Sequence, residues 1–192
     1  MNIDYYNANA QQFFDSTKDA DLSGLYSDFI GGLKRSGRIL DAGCGSGRDT
    51  KHFLSLGYQV EAFDASKELA RLASEFSGIN VAVATFENFT SRNLFDGIWA
   101  CASLLHVPNS RLKDVIMNLS RFLAKEGLIY FSLKYGSGER IENGRLFTDA
   151  NEAIILSIMR EIDELAIQKM WVTSDVRPAR SEAWLNVLAR RI

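Results

Sequence analysis

A short apolar run leads into three alternating glycines in the segment Ile39-Leu40-Asp41-Ala42-Gly43-Cys44-Gly45-Ser46-Gly47-Arg48. Glycine adopts positive φ without strain and lets a ligand approach the main chain where any other residue would place a Cβ. A helical pattern follows from Asp49, and the N-terminus of such a helix offers free N–H groups to a nucleotide or another polar ligand. A tight strand-to-helix turn that binds no ligand would use the same glycines.

The acidic residue at the end of the next strand-like run is a second signal. Asp64 follows Gly43 by about 20 residues, the spacing at which an acid in a strand–helix–strand unit reaches the ribose of a bound nucleoside. The dipole of the following helix would by itself also favour an aspartate here. The glycine pattern is Gly-x-Gly-x-Gly followed by Arg48, which differs from the G-x-G-x-x-G of dinucleotide-binding proteins. The two signals together predict a nucleoside site.

Strand-like and helix-like segments alternate through the chain. Strands are predicted at residues 37–42, 58–63, 79–84, 95–102, 128–133, 165–173 and 182–189, and helices at 49–56, 66–76, 110–123 and 148–159, with helical and loop material at 5–32. A turn is predicted at residues 125–127. The connection between the last two strands is too short for a parallel crossover, so they should pair antiparallel. The pattern predicts an open, mostly parallel α/β sheet with helices on both faces.

Composition and charge exclude several classes of protein. The 192 residues are 46% hydrophobic and 24% charged, which predicts an ordinary globular domain. The formal net charge of −2 disfavours a general nucleic-acid binder. Cys44 and Cys101 lack the spacing of a metal site, so no metal is predicted and both are expected as reduced thiols of a cytoplasmic protein. No signal peptide or membrane span is predicted.

Three motifs together resemble the class I S-adenosylmethionine-dependent methyltransferases. They are Asp41 followed by the glycines, Asp64 in Phe63-Asp64-Ala65-Ser66, and the segment from Phe95 to His106. The residues around Gly47-Arg48-Asp49 and Leu56-Gly57-Tyr58 look most like small bacterial methyltransferases related to tellurite-resistance enzymes. The resemblance implies a Rossmann-like seven-stranded sheet in a single methyltransferase domain. Its expected parts are an N-terminal helical lid at 1–34, a cofactor-binding core at 35–135, and a C-terminal helix and strand hairpin at 136–192.

The resemblance also implies S-adenosylmethionine as cofactor and S-adenosylhomocysteine as product. Asp41 and the main chain of Gly43 and Gly45 would receive the methionyl part, Asp64 would hold the ribose, and Thr85 with Phe86 would flank the adenine. Arg48 would pair with the cofactor carboxylate or with Asp41, and any adenine contact of Glu87 stays open. The implied cofactor residues are Tyr6, Asp41, Gly43, Cys44, Gly45, Gly47, Arg48, Asp64, Ala65, Ser66, Thr85, Phe86, Ala100, Cys101 and Ala102.

The methyl acceptor is expected to be a small molecule. Leu105-His106-Val107-Pro108 stands where enzymes that methylate amino groups of DNA bases or glutamine carry Asn/Asp-Pro-Pro-aromatic. His106 is a candidate general base, although a histidine after such a strand is more often structural. Lys134 and Tyr135 are further catalytic candidates, because both should lie at the carboxyl edge of the fifth strand.

The C-terminal part supplies the remaining candidates. Arg177 and Arg180, in the loop between the last two strands, are predicted to select an anionic acceptor; alternatively they pair with the acidic residues 161–164. The glycine-rich residues 136–140 are predicted to form a mobile loop. A non-catalytic binding module and a nicotinamide-dependent oxidoreductase remain alternatives. The sequence does not indicate an oligomeric state.

Overall fold

The computed structural model describes residues 2–177 and 181–192. Its helices are α1 (Asn2–Ala8), α2 (Ala10–Thr17), α3 (Ser23–Ile30), α4 (Arg48–Ser55), α5 (Lys67–Ser77), α6 (Asn109–Ser120) and α7 (Glu152–Met159). Its strands are β1 (Arg38–Ala42), β2 (Gln59–Asp64), β3 (Ala82–Val83), β4 (Phe95–Ala100), β5 (Leu123–Tyr135), β6 (Gly138–Glu142), β7 (Arg145–Ala150), β8 (Leu165–Ser174) and β9 (Ala183–Arg191). A short 3-10 helix covers Leu104–His106.

The sheet follows the predicted architecture. Strands β3, β2, β1, β4 and β5 are parallel neighbours in that order. Strand β9 pairs antiparallel with β5, and β8 pairs antiparallel with β9 at the edge. These strands form a Rossmann-like seven-stranded sheet with an antiparallel C-terminal pair, so the predicted fold class is confirmed.

An inserted hairpin extends the sheet in a way that the sequence analysis did not predict. Strands β6 and β7 pair antiparallel, and Ala150 and Asp149 of β7 pair with Tyr135 and Lys134 at the end of β5. Residues 136–140 are therefore not a free loop, because β6 begins at Gly138. The predicted helix at 148–159 is also corrected, since β7 runs to Ala150 and α7 starts at Glu152.

Strand β5 is longer than predicted. It begins at Leu123, which pairs with Phe95, and an irregularity in the pairing follows before Leu128 pairs with Gly97. Glu126 within this irregularity has a φ of 64°. The predicted turn at residues 125–127 is therefore a bulge inside one strand, which lets β5 bend without leaving the sheet.

Alternate residues of the central strands face opposite sides of the sheet, as the period of a strand requires. Leu40, Ile98 and Ile129 face one side, where α6 and α7 pack, and Ile39, Trp99 and Tyr130 face the other, where α3 and α4 pack. Both faces are covered, which explains the almost continuous apolar run of β4.

The N-terminal helices cover the edge of the sheet next to the glycine segment. Ala10 and Phe14 of α2 pack against Leu69 and Leu72 of α5. The side chain of Asn2 donates to the main-chain oxygen of Leu146 in β7, so α1 bridges α5 and the inserted hairpin. Among the described residues, no helix has the length and apolar character needed to cross a membrane.

Candidate active site

The glycine segment turns sharply at the carboxyl end of β1. Gly43, Gly45 and Gly47 have φ values of 76°, 56° and 75°. The N–H groups of Gly43 and Cys44 both donate to the main-chain oxygen of Phe63 in β2, at 2.9 and 3.0 Å. A Cβ on Gly43 would lie 2.7 Å from the Cβ of Ser103, so only glycine fits this approach.

The carboxylate of Asp64 organises the end of β2. Its Oδ2 accepts from the N–H of Gly45 at 2.8 Å, and its Oδ1 accepts from the N–H of Ser66 at 2.8 Å. Burial raises the pKa of Asp64, and the bonds from Ser66 and Gly45 oppose this rise. Each oxygen keeps a lone pair for a ligand hydroxyl.

Ser66 caps α5, as predicted, because its hydroxyl accepts from the N–H of Leu69 at 3.2 Å. The hydroxyl itself donates to Oδ1 of Asn7 at 2.7 Å. Asn7 therefore links α1 to α5, the helix that follows Asp64. No pattern in the sequence predicts this contact.

Two adjoining chambers open at this edge of the sheet. The smaller has a volume of about 310 Å³ and is lined by residues that follow β1, β2, β3 and β4, together with α1 and α2. Among them are Gly43, Gly45, Asp64, Ala65, Ser66, Thr85, Phe86, Glu87 and Ser103. The ring of Phe86 meets that of Phe63 edge to face at 5.6 Å between centroids, which gives this chamber an apolar wall.

The larger chamber has a volume of about 550 Å³ and is lined by charged and aromatic side chains. Among them are Tyr5, Arg48, Asp49, Cys101, Ser132, Lys134, Arg145, Phe147, Trp171, Asp175, Arg177 and Trp184. The residues that line both chambers are Tyr6, Phe13, Gly43, Gly45, Ala102 and His106. Both volumes lie in the range of small-molecule sites.

Tyr6 and His106 are joined where the chambers meet. The Tyr6 hydroxyl lies 2.7 Å from Nε2 of His106, and Nδ1 of His106 lies 2.8 Å from the main-chain oxygen of Leu146. Because a carbonyl only accepts, Nδ1 carries the proton and Nε2 accepts from the Tyr6 hydroxyl. Burial lowers the pKa of His106 to about 4, and Arg145 and Lys134 act in the same direction. The imidazole is therefore neutral at physiological pH.

Arg48 does not pair with Asp41. Its Nε and Nη2 donate to the two carboxylate oxygens of Asp49 at 2.6 and 2.9 Å. Asp49 also accepts from the Tyr26 hydroxyl at 2.5 Å and from Nε1 of Trp99 at 2.8 Å. The Arg48 guanidinium lowers the pKa of the Asp49 carboxyl against the effect of burial. This buried pair forms the floor of the larger chamber.

Three implied cofactor residues lie behind the chambers rather than in their walls. Asp41 is buried and accepts from the Thr50 hydroxyl at 2.6 Å, and burial raises its pKa to about 8. A Cβ on Gly47 would lie 2.9 Å from that of Ala73, so this glycine allows α4 to approach α5. Ala100 is fully buried in the core. The structure brings these residues next to the glycine turn but not to the chamber surface.

The two cysteines are half-buried thiols. Burial raises the pKa of Cys101 to about 12 and raises that of Cys44 as well. Neither is activated as a nucleophile. Beside Cys101, Ala102 has a φ of 50° and its N–H donates to the Ser132 hydroxyl at 2.8 Å. A residue other than glycine in this conformation indicates strain held in place by its surroundings.

Lys134 and Tyr135 point in opposite directions because side chains alternate along β5. Lys134 lines the larger chamber and its Nζ lies 3.1 Å from Oε1 of Glu182. Tyr135 is exposed and donates to Glu152 at 3.0 Å. The structure does not bring Tyr135 into either chamber, which corrects its assignment as a catalytic candidate.

Arg177 lines the larger chamber but its charge is already paired. Its Nε and Nη2 donate to the two oxygens of Asp175 at 2.9 and 2.5 Å. Hydrogen bonds from Arg177 lower the pKa of Asp175 to about 2, against the effect of burial. Arg177 faces the chamber, and its selection of an anionic acceptor stays a prediction. Its carboxylate partner is Asp175, so the alternative that it pairs with residues 161–164 is corrected. Arg180 lies outside the described residues.

Several lining residues were missed in the sequence analysis. Arg145 and Phe147 belong to the unpredicted hairpin, and Trp171 and Asn186 come from the two last strands. In residues 2–177 and 181–192, no group of three or more His, Cys, Asp or Glu could hold a metal ion.

Comparison with known proteins gives a family match and a fold. Residues 39–127 match the model of a methyltransferase domain. A segment of 100 residues is 31% identical to the ubiquinone biosynthesis O-methyltransferase of Rickettsia prowazekii, covering 50% of this chain but 39% of that protein. The matched part is thus less than half the length of that relative.

Solved structures match over more of the chain. The 1,6-didemethyltoxoflavin-N1-methyltransferase of Burkholderia thailandensis, crystallised with 1,6-didemethyltoxoflavin and S-adenosylhomocysteine, has a TM-score of 0.78 at 21% identity, over 99% of this chain and 85% of that one. A [4+2]-cyclase has a TM-score of 0.72 at 16% identity, over 88% of this chain and 79% of that one. The fold is that of the class I S-adenosylmethionine-dependent methyltransferases. The part of the chain whose sequence resembles a methyltransferase domain is residues 39–127.

Proposed function

We propose that the protein transfers a methyl group from S-adenosylmethionine to a small-molecule acceptor and releases S-adenosylhomocysteine. The observation that carries the proposal is the pair of chambers that meet at Gly43, Gly45, Ala102 and His106. A chain that only binds one nucleoside needs the smaller chamber alone. A transferase needs two sites that share a wall where the reacting atoms meet.

The residues of the smaller chamber suit the adenosine part of the cofactor. Asp64 offers its carboxylate oxygens to the ribose hydroxyls, and Thr85 with Phe86 forms the wall for the adenine. The turn at Gly43 and Gly45 brings main chain without Cβ atoms to the boundary, which suits the methionyl part. Asp41 acts from behind the turn, by holding Thr50 of the following helix.

The chemistry requires little from the protein beyond alignment. When bound, S-adenosylmethionine supplies a methyl group that is already electrophilic because its sulfur is a sulfonium. The chain's own residues then hold the acceptor in line and exclude water, which is catalysis by proximity and orientation. Tyr6 and Phe13 line the boundary from the side of the N-terminal helices.

His106 is the proton acceptor in this proposal. A neutral nucleophile becomes strongly acidic as its bond to the methyl carbon forms, so a weak base is sufficient. The unprotonated Nε2 of His106 can take this proton when the acceptor displaces the Tyr6 hydroxyl from it. Lys134, paired with Glu182, contributes a polar group to the acceptor side.

The alternatives differ in what binds and what reacts. A similar fold occurs in a [4+2]-cyclase, so the fold alone does not establish methyl transfer. A non-catalytic module would bind the cofactor without turnover, and a nicotinamide-dependent oxidoreductase would bind NAD. The closer relationship to tellurite-resistance methyltransferases stays a prediction based on residues 47–49 and 56–58.

Calorimetry with S-adenosylmethionine, S-adenosylhomocysteine and NAD separates these alternatives at the binding stage. The two adenosyl ligands should bind and NAD should not, because the glycine spacing departs from the dinucleotide pattern. Incubation with methyl-labelled S-adenosylmethionine and a metabolite extract should then transfer label to a small molecule. Tight NAD binding without adenosyl-ligand binding would overturn the proposal, and cofactor binding without any transfer would favour the non-catalytic module.

A further inference from the structure

Four cationic side chains of arginine and lysine line the larger chamber within the described residues, and three of them are paired. Arg48 pairs with Asp49, Lys134 with Glu182, and Arg177 with Asp175. The fourth, Arg145, forms no ion pair within residues 2–177 and 181–192. Glu142 lines the same chamber, but its carboxylate lies 3.7 Å from Nε of Arg140. The charge of Arg145 is therefore left without a carboxylate.

Arg145 also carries a polar atom without a partner. Its Nε is buried and makes no hydrogen bond, and its Nη1 reaches the Tyr6 hydroxyl only at 3.5 Å. A buried donor that makes no bond costs free energy unless a ligand completes it. The fork of Nε and a terminal nitrogen is the part of a guanidinium that binds a carboxylate through two bonds.

Aromatic rings surround this guanidinium. Its central carbon lies 4.2 Å from the ring centroid of Tyr5, 4.9 Å from that of Phe147 and 5.8 Å from that of Tyr6. Trp171 and Trp184 line the same chamber on the side of the last two strands. The rings of Tyr5 and Phe147 hold the cation in a weakly hydrated position, and the two indole rings give the chamber an aromatic wall for a flat ligand.

Arg145 lies close to the boundary between the chambers. It contacts Tyr6, and Tyr6 donates to His106, which lines both chambers. A cation bound directly to the nucleophilic atom would withdraw its lone pair and slow transfer. The group that Arg145 binds must therefore be a neighbour of the reacting atom and not the reacting atom itself.

We propose that the methyl acceptor is a planar aromatic molecule with an anionic oxygen group, and that Arg145 binds this group while the rings hold the plane. The inference rests on the proposed function and names its acceptor class. In the transfer step, a lone pair of the neighbouring nucleophilic atom forms the bond to the methyl carbon, and the carbon–sulfur bond breaks with its electron pair left on sulfur. The proton of the nucleophilic atom passes to Nε2 of His106. The anionic group keeps its charge throughout.

The test uses naphthalene-2-carboxylate and its neutral amide, naphthalene-2-carboxamide, as flat probes that differ in charge. Calorimetry with the full-length protein, with and without saturating S-adenosylhomocysteine, should show the acid binding at least about 10-fold more tightly than the amide. Arg145→Gln should remove this preference and leave the affinity for S-adenosylhomocysteine unchanged. Thermal unfolding establishes that each variant is folded.

A matched variant serves as the control. Arg140 lies on the same hairpin and near the same Phe147 ring, but pairs with Asp149 outside the chamber, so Arg140→Gln should keep the preference.

The outcomes are distinguishable. Equal binding of acid and amide, no binding of either probe, or a preference that survives Arg145→Gln or is lost in Arg140→Gln would overturn the assignment. A parallel loss of S-adenosylhomocysteine affinity in Arg145→Gln would show that Arg145 holds the cofactor carboxylate, and would also overturn it. Failure of S-adenosylhomocysteine to bind the wild type would overturn the proposed function instead, since the probes are also measured without it.

Discussion

The smaller chamber is formed by main-chain turns, small residues and one carboxylate, whereas the larger chamber is formed by long side chains held in ion pairs. In the smaller, Gly43 and Gly45 shape the wall and Asp64 is fixed by two N–H groups. In the larger, the pairs Arg48–Asp49 and Arg177–Asp175 form much of the polar surface. Main chain defines one ligand shape closely, whereas the shape of the larger chamber depends on which side chains are present.

The two chambers also differ in how much of the chain they need. The smaller is built mainly by the turns that directly follow β1, β2, β3 and β4. The larger draws on the N-terminal helices, the inserted hairpin and the last two strands as well. Under the proposed function, the regular sheet holds the constant cofactor and the peripheral elements add acceptor specificity.

The largest effect is expected where the smaller chamber has no room for a side chain. Gly45→Val should abolish binding of S-adenosylmethionine in calorimetry, because Gly45 has a φ of 56° and its Cβ would lie 3.1 Å from Phe13. Gly78→Val is the matched control: its φ is 81° and no atom lies within 4 Å of its Cβ. Both variants should lose roughly 1–2 kcal/mol of stability from the left-handed conformation. Normal cofactor binding by Gly45→Val would show that the glycine segment is only a turn.

The next largest effect is expected on stability, at the ion pair that forms the floor of the larger chamber. Asp49→Ala leaves the Arg48 guanidinium, Nε1 of Trp99 and the Tyr26 hydroxyl without their acceptor. Urea unfolding should show a loss of about 3–5 kcal/mol, the usual cost of leaving a buried charge unpaired. Asp28→Ala, which breaks the more exposed pair with Lys169, should cost about 1 kcal/mol or less. Equal losses in the two variants would contradict a structural floor.

Asp64→Ala should weaken binding of the cofactor and leave the protein folded. The ribose loses a charged acceptor, a hydrogen bond of about 1.5–3 kcal/mol, so the dissociation constant should rise about 10- to 150-fold in calorimetry. Asp114→Ala removes an exposed carboxylate on α6 and should leave the dissociation constant unchanged. An unchanged constant in Asp64→Ala would place the nucleoside site elsewhere.

The sequence was sufficient for the parts of the molecule that depend on local pattern. The glycine spacing predicts the backbone conformation of the turn, and the apolar run of β4 predicts a strand that is buried on both faces. Each pattern lies within a few consecutive residues. The position of Asp64 followed from the length of a strand–helix–strand unit. The ion pair between Arg48 and Asp49 could not be predicted in the same way. Tyr26 and Trp99 also donate to the Asp49 carboxylate, and both are distant from it in the sequence.

The inserted hairpin did have a sequence signal. Asn143 and Gly144 have φ values of 50° and 73°, as a two-residue hairpin turn requires, and Asn-Gly is the most typical pair for it. Glycines and charges around residues 136–140 instead favoured a loop. Because the hairpin was not predicted, no position was predicted for Arg145. Selection of an anionic acceptor was therefore assigned to Arg177 and Arg180 instead.

The smallest predicted effect concerns Tyr6, which belongs to both chambers. Tyr6→Phe keeps the ring contacts with Phe13 and His106, at 5.2 and 5.4 Å between centroids, and removes only the hydroxyl that donates to Nε2 of His106. The free energy of unfolding should fall by about 0.5–1.5 kcal/mol, the net worth of one hydrogen bond. S-adenosylmethionine affinity should change little, because the hydroxyl faces His106 and not Asp64. Methyl transfer should persist, since Nε2 is then open to the acceptor's proton.

Tyr5→Phe is the matched control, because within the described residues the Tyr5 hydroxyl makes no hydrogen bond while its ring also packs against Arg145. Its stability and its cofactor affinity should equal those of the wild type in the same urea and calorimetric measurements. If Tyr6→Phe abolished methyl transfer while keeping the cofactor bound, the hydroxyl itself would be the proton carrier. His106 would then act through Tyr6 as a positioning residue. The group that carries the proton would come from α1, and not from the segment that follows β4.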